Sequence, residues 1–159
     1  MKRLGKRPAD PFQILVTTAG PPANLPDVGY GVSQALPLVV QSVLATDRRR
    51  ILLQQPEVHL HPRAQAALGS LFARLVTKDK KEFVIETHSD YLVDRVRVEV
   101  AQGNLSTEAV LILFFEKHEI ETSVHQIFLD REGNVVGAPD SYRGFFLEEE
   151  INLLSRVKK

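Results

Sequence analysis

Ile51-Leu52-Leu53-Gln54-Gln55-Pro56-Glu57-Val58-His59-Leu60-His61-Pro62 decides the fold. A short apolar run breaks into a polar turn, and Pro62 suits the first position of a helix. The pattern recurs downstream, where Phe83-Val84-Ile85 runs into Glu86-Thr87-His88-Ser89-Asp90. Upstream of both stands Asp27-Val28-Gly29-Tyr30-Gly31-Val32-Ser33-Gln34, a Gly-Ser turn that opens a helix. Two strands therefore deliver polar side chains to one edge of a sheet, where α/β proteins bind their ligands. That is the layout of a phosphate-handling α/β protein.

The spacing of apolar residues extends this reading in both directions. Leu36, Val39, Val40, Val43 and Leu44 recur at helical intervals, so a helix is expected from about Ser33 to Ala45, with Pro37 tolerable only near its first turn. A second helix is expected from Pro62 to Val76, with Ala66, Ala67, Leu71 and Leu75 inward, and a third from Asp90 to about Ala101, closed by Gln102-Gly103-Asn104. Leu92, Val96 and Val100 share one side of the third. The runs 51–53 and 82–86 read as central strands, apolar on both faces and covered by helices. Gln13–Thr18 reads as a short strand, Ala19–Pro26 as a loop, Arg48–Arg50 as a basic spacer and Lys78–Glu82 as a charged turn. Beyond these, Val110–Glu116 and Thr122–Leu129 are strand-like, and Phe145–Val157 is amphipathic. The expected class is α/β: parallel strands with flanking helices, then a β-hairpin and a helix.

Bulk properties narrow the function. The 159 residues suffice for one domain with a core, and 43% apolar with 25% charged residues is ordinary for a globular protein. Formal net charge is zero, so no global field draws the chain to nucleic acid or membrane. There is no cysteine, which rules out disulfides and thiolate metal sites and suits the cytoplasm. No apolar stretch has the length of a membrane span.

The three motifs, in this order and spacing, resemble the C-terminal half of an ABC/SMC-like ATPase domain. The branch is the AAA-type, overcoming-lysogenization-defect-related bacterial one, many of whose members serve in phage defence. The resemblance is strong over residues 27–97, and Gly144-Phe145-Phe146-Leu147-Glu148-Glu149 resembles the family's end. It implies a signature motif at Gly31-Val32-Ser33-Gln34, binding ATP through Gly31, Ser33 and Gln34. A serine hydroxyl and free amides at a helix N-terminus do favour an anion. The alternative is a serine that simply caps a core helix. The Walker B place falls on Gln54-Gln55. Gln54, standing where an acid is expected, would touch ATP and the Mg²⁺ shell, and Gln55 would take the catalytic place, where glutamine is familiar in this branch. An amide cannot accept a proton at neutral pH, so hydrolysis is weakened. Glu57, two residues on, is the acid that could compensate, although the turn at Pro56 leaves its direction unread. Val58-His59-Leu60-His61 resembles the D-loop, placing His59 and His61 near ATP, and His88 resembles the catalytic switch histidine. A rival reading makes His59, His61 and His88 a metal site of a hydrolase. Ser89-Asp90 reads as a helix cap, and His118 and His125 need no functional role.

Absences complete the picture. No G-x-x-x-x-G-K-[ST] is present, so the Walker A half and its lysine are missing, and no acidic nuclease cluster follows residue 110. The expected organisation is a tail and loop over 1–26, the ATPase lobe over 27–108, and the C-terminal hairpin and helix over 109–159. The expected cofactors are ATP and Mg²⁺, held only with a P-loop-bearing ATPase half or second subunit; without it the chain should not hydrolyse ATP. Self-association is the other expected contact. The alternative is a non-catalytic protein-interaction module derived from such an ATPase.

Overall fold

The computed structural model describes residues 2–4, 12–17, 20–46 and 50–156, with the side chains at 2–3, 145–147, 149–150 and 156 left aside. Thr18, Ala19 and Val157, and most of the basic spacer at 48–50, lie outside the described residues. The chain divides into two compact units, Met1–Val96 and Arg97–Lys159.

The first unit is built on two parallel strands, β5 (Arg50–Gln54) and β6 (Glu82–Glu86), paired from Arg50↔Glu82 to Gln54↔Glu86. They follow four two-residue strands: β1 (Lys2–Arg3) against β2 (Phe12–Gln13), and β3 (Leu15–Val16) against β4 (Ala23–Asn24), all antiparallel. The stretch 19–26, expected as plain loop, thus contains a strand. A 3-10 turn at Leu25–Val28 then leads into α1 (Tyr30–Leu44).

α2 (Pro62–Asp79) connects β5 to β6, and α3 (Asp90–Ala101) follows β6. Pro62 occupies the first turn of α2, where its missing N–H costs nothing. The core is Leu68, Phe72 and Leu92, with Leu38, Val39, Leu53, Leu60, Leu71, Phe83, Ile85 and Val96 packed around it. Phe72 and Phe83 meet with ring centroids 4.9 Å apart. The buried apolar positions of α2 are Leu68, Phe72, Ala73 and Leu75; of the expected inward set, Leu75 is buried and Leu71 packs against the core, whereas Ala67 is exposed. α1 likewise turns Leu38 and Val39 inward and leaves Val40, Val43 and Leu44 exposed. α2 and α3 approach closely at Gly69, where a Cβ would lie 2.9 Å from the Leu92 carbonyl oxygen.

The β5–β6 pair departs from the expectation of strands covered on both faces. Ile51, Leu53, Phe83 and Ile85 face the core, whereas Leu52 and Val84, neighbours in the register, are 73% and 56% exposed. The reason is the strand count: no other described strand pairs with either, and helices cover one face only.

α1 is pinned at its far end by a residue that pattern reading assigned to a charged turn. Lys81, 2% exposed, donates from Nζ to the carbonyls of Ser42 (2.7 Å) and Val43 (2.8 Å). Asp79 balances it at 3.4 Å. These carbonyls belong to the last turn of α1, which lacks intrahelical donors and carries the negative end of the helix dipole.

In the second unit, β7 (Ile112–His118) and β8 (Glu121–Leu129) pair antiparallel, and β9 (Val135–Val136) adds to β8. Leu105, Ile127 and Leu129 are buried there. Asp130 organises the β8–β9 turn, its carboxylate accepting from the amides of Glu132 (3.0 Å) and Asn134 (2.7 Å). α4 (Gly144–Arg156) ends the described chain. Among the described residues, no helix is long and apolar enough to cross a membrane.

Candidate functional site

Parallel pairing brings the ends of β5 and β6 to the same edge, because Gln54 lies directly beside Glu86. The Gln55 amide continues the ladder, donating to the Glu86 carbonyl at 2.7 Å. Polar residues after both strands therefore emerge together.

The turn after β5 is tight and conformationally unusual. Gln55 (φ 44°) and His59 (φ 65°) both hold left-handed backbone, which is uncommon for residues other than glycine. Val58 N–H bonds the Gln55 carbonyl and Leu60 N–H the Glu57 carbonyl. Such outliers persist where surrounding contacts over-determine them. The turn lies against the start of α1. A Cβ on Gly31 would fall 2.5 Å from the His59 carbonyl oxygen, so only glycine lets the two backbones approach this closely. The Tyr30 and His59 rings meet edge-on, centroids 4.7 Å apart. The signature-like and D-loop-like segments are thus in contact within one unit.

Ser33 is placed differently from expectation. The helix begins at Tyr30 with Gly29 as its N-cap, three residues before the expected start, so Ser33 is neither a cap nor at the open terminus. Its amide donates to the Gly29 carbonyl (3.3 Å), and its hydroxyl is directed at the carbonyls of Leu25 (3.0 Å) and Gly29 (3.3 Å). The amides at the very start of the helix are the ones an intrahelical ladder leaves open. The earlier start also carries Pro37 into the helix interior, where it cannot donate to the Ser33 carbonyl. Gln34 is exposed.

Gln54 is exposed, and its Nε2 donates to Glu86 Oε1 at 3.4 Å. Its amide oxygen is thereby turned away from Glu86. An acid, Glu86, thus stands beside Gln54 on the neighbouring strand, invisible to a motif read along one strand. A Mg²⁺ shell needs oxygen ligands and tolerates intervening water. Gln54 with Glu86 fits that requirement; Gln54 alone would supply no charge.

Glu57 has a definite direction. It is 6% exposed, and its Oε1 accepts the His88 amide at 3.0 Å; among the described residues no donor reaches Oε2. His88 itself is exposed. Ser89 caps α3, its Oγ accepting the Leu92 amide at 3.0 Å. His61 caps α2, Nδ1 accepting from the Arg63 amide at 3.3 Å. The metal reading fails: among the described residues, no three His, Cys, Asp or Glu side chains are placed to hold a metal ion. The imidazoles diverge because His59 packs on Tyr30, His61 caps a helix, and His88 stands on another loop. In the second unit, His118 and His125 each approach Glu116 Oε2 at 3.2 Å.

These elements form a mixed α/β fold of sheets and helices. The chain belongs to the AAA ATPase domain family, whose model matches residues 4–93. Among solved structures, it is similar to a chain described under the structural biochemistry of ATP-driven dimerization and DNA-stimulated activation of SMC ATPases. That similarity covers 99% of this chain and 80% of the other, with a TM-score of 0.54 and 13% identity, and so concerns the fold. No curated protein matches the sequence.

Proposed function

We propose that this chain is a partial ABC/SMC-like ATPase lobe that completes an ATP site together with a P-loop-bearing chain or half, in a phage-defence setting. The observation that carries the proposal is the convergence, in one unit of an AAA-family chain, of the start of α1, the turn after β5 and the loop after β6. The partner supplies the phosphate cradle and its lysine. This chain supplies the first amides of α1, beside Gly31, to the γ-phosphate; Ser33 joins them once its hydroxyl leaves the backbone carbonyls. Gln54 and Glu86 would hold the water shell of Mg²⁺. Held there with ATP, the ion would supply neutralisation of the phosphate charge. Gln55 orients water but takes no proton, so turnover is slow. His88 donates to the γ-phosphate, and His59 and His61 line the seam with the partner. The bare β5–β6 face, with Leu52 and Val84, is the surface the partner covers, and self-association through it competes when the partner is absent.

The test is reconstitution with a P-loop-bearing ATPase half. This chain alone should release no phosphate from ATP. The pair should, and His88→Ala should abolish it; turnover by the pair that ignores His88→Ala would overturn the proposal. A second reading, a non-catalytic interaction module, draws on the two amides at 54 and 55. It predicts a stable pair that binds without turnover.

A further inference from the structure

We infer that Gln65 and Glu57 are positioning residues that join the turn after β5 (55–61) to the loop after β6 (87–89), so that contact at His59 is transmitted to His88. Gln65 lies outside every motif the family reading assigns to ATP, and Glu57, the acid weighed as a substitute in the Walker B place, is instead bonded to the His88 amide.

Gln65 lies in the second turn of α2 and bonds both segments. Its Nε2 donates to the Leu60 carbonyl at 2.8 Å, and its Oε1 accepts from the Ser89 hydroxyl at 2.5 Å. The chemistry fixes each direction. A carbonyl only accepts, so the amide nitrogen must face Leu60 and the amide oxygen must face Ser89. Ser89 Oγ already accepts from Leu92, so its single proton goes to Gln65. Neither side chain can turn over without losing two bonds. Glu57 makes the second tie: it begins in the turn after β5 and ends on the His88 amide. Ser89 and Glu57 are each 6% exposed, so water competes little for these bonds.

The turn is also the segment that touches α1, through the Tyr30–His59 ring contact and the close approach at Gly31. A continuous chain of contacts therefore runs from Tyr30 to His59, along the backbone to Leu60, through Gln65 to Ser89, with Glu57 as a parallel strut to His88. The left-handed backbone at Gln55 and His59 gives the turn a reason to rearrange when those ties change. Under the proposed ATP role, a partner docking at His59 would set the position of the switch histidine. Such coupling is read as non-additivity between the two positions.

The test uses the full chain without nucleotide or partner, so failed reconstitution of ATP turnover leaves this linkage intact, and failure here leaves the ATP role intact. In the otherwise unaltered chain, His59→Ala should shift the backbone amide resonances of His88, Ser89 and Leu92. With Gln65→Leu added, those shifts should fall by at least about half, while shifts at Tyr30 and Gly31 persist. Gln65→Leu alone frees the Leu60 carbonyl and the Ser89 hydroxyl, and should thereby loosen the Leu60 amide, which donates to the Glu57 carbonyl, and the Leu92 amide, which donates to Ser89 Oγ, speeding their exchange by up to about fivefold while leaving Phe72 and Phe83 unchanged. Gln65→Glu keeps the acceptor for Ser89 but loses the donor to Leu60. It should therefore preserve Leu92 protection and still break the transmission from His59. No shift at His88 on His59→Ala, an undiminished shift in the Gln65→Leu background, or a loss of protection spread equally to Phe72 would each overturn the inference.

Discussion

Replacing Gly31 with alanine sets two effects of opposite sign against each other. Alanine is intrinsically the better helix residue by about 0.8–1.0 kcal/mol in a helix interior, and by less in the first turn. Against this, the new Cβ would lie 2.5 Å from the His59 carbonyl oxygen, 3.3 Å from the His59 carbonyl carbon and 3.3 Å from a Leu60 methyl. The closest of these is backbone, in a turn already held left-handed at φ 65°, so the neighbour cannot rotate aside. Forcing a methyl into such a site costs typically about 1–3 kcal/mol. The clash wins, with a net loss of about 1–2 kcal/mol. The start of α1 should separate from the turn, taking the Tyr30–His59 ring contact with it. Urea unfolding followed by circular dichroism gives the stability change, and the Tyr30 ring resonances report the local separation. Gly144→Ala is the control, because nothing lies within 4 Å of a Cβ there. A Gly31→Ala chain as stable as its parent, with Tyr30 unmoved, would refute the close approach.

Two further outcomes follow from groups outside the nucleotide edge. Lys81→Met removes two charge-assisted bonds to the last turn of α1, worth about 1.5–3 kcal/mol each, and relieves part of the cost of burying an ammonium; a net loss of about 2 kcal/mol is expected in thermal unfolding, and an unchanged midpoint would sink the assignment. In the second unit, the Ser141 hydroxyl holds the Glu116 carboxyl below its ordinary 4.5, against partial desolvation and with help from His118 and His125. The Asn134 side chain and amide likewise hold Asp130 below 3.8. Depressed carboxyls contribute stability that is full above their ordinary values and is lost as pH falls through the lowered ones. Residues 97–159 should therefore weaken below about pH 4, and Glu116→Gln with Asp130→Asn should flatten that acid limb in urea midpoints between pH 5 and pH 3. An acid limb as steep in the double variant would show that other groups set it.

The sequence by itself determined what depends on local spacing. Ile51–Leu53 and Phe83–Ile85 read as strands, Pro62 marked the first turn of α2, Gly103 closed α3 with left-handed φ 73°, and the order of motifs pointed to the family. Boundaries governed by backbone approach were not legible. α1 starts at Tyr30 because Gly29 caps it and Gly31 packs on His59, which no helical periodicity encodes. The same gap explains Ser33, turned back on Leu25 and Gly29, and Pro37, carried into the helix interior. Only tertiary structure decided which way charged side chains point. Glu57 turns to the His88 amide, Lys81 to the end of α1, and Glu86 to Gln54, across sequence separations of 31, 39 and 32 residues. Alternation along a strand gives the face of a side chain, whereas its partner depends on which strand lies alongside. Tertiary structure also decided that Leu52 and Val84 lie bare, because coverage depends on how many strands and helices are present to supply it.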